Sequence, residues 1–203
     1  MSADELLIVA GAGCYPRLLA QGARAAGVRR LAMMTLRGQT ERGVAAEADV
    51  TARFGAGEID RALRWALSLG IGQVMLAGQV RPTALFTTRF DATARKLLRG
   101  MAVKNAHTIF GALAALLERH GFRVLPASTF MDGHLPAAGL LSARAPDARE
   151  ETDIAHGHRA AMTLGTLEIG QTVVVKDGTV LAVEAFEGTD AAIRRGARLG
   201  GRG

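Results

Sequence analysis

Leu6-Leu7-Ile8-Val9-Ala10-Gly11-Ala12-Gly13-Cys14-Tyr15-Pro16 decides the fold class. Leu6 to Ala10 is a short unbroken apolar run, the pattern of a parallel strand buried on both faces. Gly11-Ala12-Gly13 reads as a turn. Pro16 suits the first turn of a helix, whose pattern runs from Arg17 to Ala26. A strand, a Gly-rich turn and a helix N-terminus together can cradle a phosphate. The full dinucleotide fingerprint is absent. Pro16 stands where its third glycine would fall, and the next strand, Leu31 to Leu36, ends in Arg37 rather than in an acid for a ribose. A nicotinamide-dependent oxidoreductase is disfavoured on both counts.

Outward from this stretch, strands and helices alternate. Asp49 to Phe54, Gln73 to Ala77 and Phe122 to Leu125 read as strands. Glu58 to Leu69, Asp91 to Arg99 and Ala106 to His120 read as helices. The alternation predicts an α/β fold, a Rossmann-like parallel sheet domain over residues 1–130. Gly78-Gln79-Val80-Arg81-Pro82 is a polar loop at the carboxyl end of a strand, where open α/β sheets bind ligands. A Gly-, Pro- and Ala-rich connector is expected over 131–148. A smaller, incomplete α+β domain is expected over 149–195, and a disordered Gly/Arg tail over 196–203.

Composition narrows the function classes. With 49% hydrophobic and 22% charged residues, the chain is that of a soluble globular protein. No apolar run is long enough to span a bilayer, the acidic start is not that of a signal peptide, and the single cysteine, Cys14, suits a cytoplasm. The net charge of +6 is uneven: residues 1–130 carry 17 Lys and Arg against 9 Asp and Glu, and residues 131–203 carry 8 against 10. The excess is almost all Arg without interleaved aromatics, which argues against nucleic acid and leaves an anionic membrane surface or a phosphorylated substrate.

The smaller domain is organised by the stretch from Ile169 to Arg195. Thr172 to Lys176 and Thr179 to Ala185 read as strands joined by Asp177-Gly178, a hairpin turn of the primed type. Glu187-Gly188-Thr189-Asp190 follows, then a helix pattern from Ala191 to Arg198, with Thr189 or Asp190 as its N-cap. A helix N-terminus beside clustered carboxylates suits a phosphate together with a divalent cation. Glu184, between Val183 and Ala185, sits either on a wet face or in a site. His156 and His158, two apart in a helical pattern, point to different faces and read as solvated residues.

The run from Glu168-Ile169-Gly170-Gln171 through Val180-Leu181-Ala182-Val183-Glu184-Ala185-Phe186-Glu187-Gly188-Thr189-Asp190 to Arg195 closely resembles the UDP-2,3-diacylglucosamine pyrophosphatase family of lipid A biosynthesis, the type unrelated to the calcineurin-like phosphoesterases. Ile8 to Pro16 and Ala77 to Pro82 are similar to two further segments of that family. The resemblance implies magnesium-assisted hydrolysis of UDP-2,3-diacylglucosamine to UMP and 2,3-diacylglucosamine 1-phosphate. It implies a substrate held between the two domains, cytoplasmic enzyme peripheral to the inner membrane, and a homodimer. On this reading Asp190 and Glu187 are the catalytic and metal-contacting residues. Gly11, Ala12, Gly13, Gln79, Gln171, Gly188 and Thr189 bind the substrate. A non-catalytic binder of nucleotide sugars or lipid phosphates is the rival reading. Two family elements lack counterparts: a Gly-Asp-Asp element, where Lys104-Asn105-Ala106-His107 stands, and a later Asp-Leu-Pro-Thr-Ile-Gly-like segment. The chain is therefore expected to be C-terminally truncated.

Overall fold

The computed structural model of the chain describes residues 4–80, 88–101 and 106–201. It separates into two units, Met1–Leu135 and Pro136–Gly203. Arg81 and Pro82 of the predicted second loop, Lys104 and Asn105, and the last two residues of the tail lie outside the described residues.

The first unit runs β1 (Glu5–Ala10), α1 (Tyr15–Ala25), β2 (Arg30–Leu36), β3 (Val50–Phe54), α2 (Ile59–Ser68), β4 (Gln73–Ala77), α3 (Ala92–Arg99), α4 (Ala106–Arg119) and β5 (Arg123–Val124). All five strands are parallel, in the order β3-β2-β1-β4-β5. The expected α/β fold with a smaller second sheet is what forms. Strand periodicity explains the two cores. Leu6, Ile8 and Ala10 of β1 pack with Leu19, Ala20 and Ala23 of α1 on one face. Leu7 of β1 packs with Ala66 of α2 and Leu117 of α4 on the other. Leu6–Ala10 of β1 and Val74–Ala77 of β4 are apolar without interruption because both faces of these central strands are covered, whereas the edge strand β3 (Val-Thr-Ala-Arg-Phe) exposes Thr51.

The unit extends past residue 130, where the connector was expected. Met131 is buried in the α1-side core, and the Tyr15 hydroxyl donates to the Ala127 carbonyl. The backbone carbonyl of Phe130 presses on α1 at Gly22, where a Cβ would collide with it. The loose composition of the segment conceals these contacts.

Two carboxylates hold the elements in place. Asp49, just before β3, accepts from Arg24 Nη2 and from the Leu31 N–H, both at 2.7 Å, and so ties α1 to the start of β2. The hydrogen bond from Arg24, then the Leu31 N–H, hold its carboxyl below the usual range. Asp91 caps α3 through Ala94 N at 2.9 Å and also accepts from Asp60 N of α2 at 2.7 Å, so two helix N-termini share one carboxylate.

The second unit runs α5 (Ala148–Thr166), β6 (Val173–Lys176), β7 (Thr179–Val183) and α6 (Thr189–Gly200). Asp147 and Glu150 form a capping box at the start of α5. Arg144 grips Glu150 with two 2.6 Å bonds, and these, with the Asp147 N–H, bring the Glu150 carboxyl down to about 2. The hairpin turns at Asp177 (φ 48°) and Gly178 (φ 74°), both positive as a primed turn requires. Asp153 of α5 accepts both turn N–H groups, at 2.8 and 2.6 Å. Leu181 is a bulge residue without a partner in the register.

The tail is ordered further than its composition predicts. Helix α6 continues to Gly200, because Gly196 lets it lie directly on Val174 and Lys176 donates to the Gly200 carbonyl at 2.6 Å. Those glycines serve close packing rather than disorder. Gly157 of α5 lies against Val175, the next residue along β6. Successive strand residues face opposite ways, so the two helices cover the two faces of the hairpin.

Two outcomes follow for stability. Asp49→Asn removes a charge that the fold favours. The lowered carboxyl gives stability that is full above the unfolded pKa of about 3.9 and is lost as pH falls through the lower folded value. In urea unfolding the gap between wild type and this variant is therefore widest near neutrality and closes below about pH 4. By contrast, Gly111→Ala in α4, where a Cβ meets nothing within 4 Å, should stabilise the protein by ~0.5–1 kcal/mol.

Candidate functional site

The strand order reverses between β1 and β4, and the loops leaving these two carboxyl ends form the switch point of the sheet. The sequence predicts that Gly11 and Ala12 offer backbone N–H groups to a ligand there. The structure corrects this. Gly11 N–H donates to Ala77 O at 2.7 Å, and Ala12 N–H donates to Gln79 O at 2.6 Å. Gln79 N–H returns a bond to Ala12 O at 3.0 Å, so Ala12 and Gln79 form an isolated antiparallel bridge between the two loops. Gly11 and Gly78 are there for the contact itself. A Cβ on Gly11 would collide with the Gln79 carbonyl, and one on Gly78 would fall 2.6 Å from Ala12 O at a φ of +85°.

Beyond the bridge, Gly13 (φ +91°) leads into the N-terminus of α1, which no side chain caps. Pro16 has no N–H and the Arg17 N–H donates to Cys14 O at 3.1 Å, so the backbone donors left for solvent or a ligand here are those of Gly13, Cys14 and Tyr15. The side chain of Gln79 is exposed beside the bridge. Thr40 completes the rim: its hydroxyl donates to Ala10 O at 2.5 Å and accepts from Leu36 N–H at 2.8 Å, joining the ends of β1 and β2. Nothing in the sequence marked Thr40, which is one hydroxyl in a polar loop. Burial pushes the Tyr15 hydroxyl up from its ordinary pKa, so it stays a neutral donor to Ala127.

In the second unit the predicted residues Gln171, Glu187, Gly188, Thr189 and Asp190 meet around the end of β7. The predicted N-cap, Thr189 or Asp190, is replaced by Gly188, whose φ of 87° and ψ of 164° suit only glycine. No side chain caps α6. The Thr189 hydroxyl instead donates to Glu184 Oε1 at 2.9 Å, while Gln171 N–H donates to Glu184 Oε2 at 3.4 Å. Thr172 contributes its hydroxyl to Thr189 at 3.4 Å. Glu184 therefore turns toward Gln171 and Thr189, two of the residues expected to bind the substrate. Thr172 was visible only as a β-branched strand residue.

Glu187 and Asp190 differ. The Glu187 carboxylate bonds Arg195 at 2.8 Å and accepts from Ala185 N–H at 3.2 Å. Arg195 also donates to Val183 O at 2.7 Å, so Glu187 belongs to a strut between β7 and α6. Asp190 is 84% exposed and lies 3.6 Å from Arg194. Among the described residues no three His, Cys, Asp or Glu side chains converge on a common point. The residues fit a magnesium ion only in the manner in which one carboxylate, Asp190, joins phosphate oxygens and water around it.

The model of the LpxI N-terminal domain matches residues 5–134, and that of the LpxI C-terminal domain matches residues 137–203. The junction between these matches falls at the boundary along the chain between the two units, Leu135 and Pro136. The chain is also 32% identical over 198 residues to the UDP-2,3-diacylglucosamine pyrophosphatase LpxI of Caulobacter vibrioides, with 96% of this chain and 70% of that protein covered.

Proposed function

The chain belongs to the LpxI family, and we propose that it hydrolyses the pyrophosphate of UDP-2,3-diacylglucosamine to UMP and 2,3-diacylglucosamine 1-phosphate in lipid A biosynthesis. The observation that carries this reading is the extent of the match, which runs from residue 5 to residue 203 across both units. Two of the three segments that resemble the family's motifs, Ile8–Pro16 and Glu168–Arg195, contain an uncapped helix N-terminus, of α1 and of α6, each beside a glycine with positive φ. Such termini favour phosphate oxygens.

The reaction adds water across a P–O–P bond. The water oxygen joins one phosphorus, and the bridging oxygen leaves with the other phosphoryl group. Its demands are donors on the phosphate oxygens and a positioned water. The N–H groups of Gly13, Cys14 and Tyr15 and those of Gly188 and Thr189 supply donors, with the Gln79 and Gln171 side chains as neutral partners. Gly11 and Ala12 act by holding the first loop in place. Asp190, free of a short ion pair, orients the water. Glu187, already paired with Arg195, keeps the turn in shape. A magnesium ion, when bound, supplies charge stabilisation at the phosphates, and Asp190 is the side chain available to hold it.

The protein works at the surface of the inner membrane on this reading, where its diacylated substrate resides. No helix among the described residues is long and apolar enough to cross a membrane. Exposed apolar side chains such as Leu141, Met162, Leu167, Phe186 and Leu199 in the second unit support a peripheral encounter or a homodimer contact.

The test is UMP release from UDP-2,3-diacylglucosamine by the purified chain, with and without magnesium, beside Asp190→Ala. Magnesium-dependent release is expected, with kcat/KM lowered roughly 100-fold in the variant. Absence of both release and ligand-induced stabilisation would overturn the reading. Stabilisation without release would replace it by the non-catalytic binder. A second variant tests the bridge: Gly11→Ala should cost about 2 kcal/mol in urea unfolding and weaken UMP binding together, because one added methyl forces the two loops apart.

A further inference from the structure

We propose that Glu184 is a positioning residue that locks the two substrate-facing segments of the second unit into one piece. The inference rests on the reading of the Gly188–Thr189–Asp190 turn as the face presented to the pyrophosphate. Gln171 precedes β6 and Thr189 opens α6, so the chain between them contains the whole hairpin. Glu184 joins them directly, with one carboxylate oxygen on the Gln171 N–H and the other on the Thr189 hydroxyl.

The backbone of Glu184 is itself fixed. Its N–H donates to Thr172 O at 2.8 Å, and its carbonyl lies so close to Gly170 that any Cβ there would collide with it. A half-buried carboxylate on a fixed backbone, with both oxygens engaged, is aimed rather than merely solvated. The chain of hydroxyls has one consistent polarity. Thr172 donates to Thr189, and Thr189 donates to Glu184.

This arrangement has a consequence for the helix. A threonine at the start of a helix ordinarily competes for the N-terminal N–H groups. Here the Thr189 hydroxyl is committed to Glu184, and α6 has no side-chain cap. Glu184 thus keeps the first-turn N–H groups of α6 available while holding the Gln171 segment beside them. It acts through Gln171 and Thr189 and takes no proton in the reaction.

Four full-length chains decide the matter: Glu184→Ala, Glu184→Gln, Thr189→Val and the Glu184→Ala/Thr189→Val double variant. Each is compared with wild type by amide hydrogen exchange, melting temperature and steady-state kinetics on UDP-2,3-diacylglucosamine. In Glu184→Ala, exchange should quicken about tenfold in residues 169–173 and 186–192 together, with the rest of the second unit unchanged. KM should rise about tenfold, with a smaller fall in kcat. Glu184→Gln, which keeps one accepting oxygen, should recover part of both effects. The double variant should be little worse than Glu184→Ala, since the two groups act through one bond. Exchange that quickens in only one segment, or in neither, would overturn the proposal. So would exchange that quickens across the whole unit with a large fall in melting temperature. Should wild type fail to hydrolyse the substrate, the proposed function falls, and the exchange pattern still decides whether the lock exists.

Discussion

The close approach of two backbones at the carboxyl end of the sheet is the constraint on which the first unit depends. A parallel sheet buried on both faces must send its crossovers to opposite sides, and the loops on either side of the reversal diverge. Here they are drawn together by the paired bonds between Ala12 and Gln79 and by the bond from Gly11 to Ala77. Only glycine at positions 11 and 78 permits that distance. The bridge then decides which backbone groups can meet a ligand. Those at Gly11 and Ala12 are used internally, and those of Gly13, Cys14 and Tyr15 lie beyond the bridge, before Pro16 and the Arg17 N–H that bonds Cys14 O. Thr40 extends the same rigidity to β2 through Ala10. On the proposed reading, a loop that presents amides to phosphate with little motion gains from being fastened on both flanks.

The second unit meets a different constraint, which is shortage of core. A two-stranded hairpin is at best marginal on its own. Two helices support it through close contacts at glycine, Gly157 beside Val175 and Gly196 directly on Val174, where any Cβ would collide. Few side chains are fully buried there; Ala182 and Ala192 are two of them. Directional polar contacts take a correspondingly larger part. Asp153 closes the turn, the Asp147–Glu150 box starts α5, and Arg195 ties α6 to the end of β7.

Much of this was legible in the sequence, and the reasons are local. Apolar runs next to glycine mark β1 and β4, and the reading of Gln73 to Ala77 as a strand matches β4 to the residue. Asp177-Gly178 announced its turn, because positive φ at two adjacent positions has few residue solutions. What stayed hidden depends on partners distant in the chain. Met131 looks like part of a loose connector until the core that it fills is known. Gly196 looks like the start of a disordered tail until it is seen against Val174. The role of Gly11 could not be separated from that of a ligand-cradling glycine, since both need the same absent side chain and only Gln79, 68 residues later in the chain, distinguishes them.

The carboxylates show the same limit from the chemical side. Glu184, Glu187 and Asp190 lie within seven residues, and their density suggests a metal site. In the structure they have three different occupations. Glu184 is shared between Gln171 and Thr189, Glu187 is paired with Arg195, and Asp190 projects into solvent. Proximity in sequence sets how many acids a segment carries. The groups that each acid already satisfies set how many remain for chemistry. Of these three, one remains, and on the proposed reading a pyrophosphate would bring its own oxygens to any cation that this single carboxylate helps to hold.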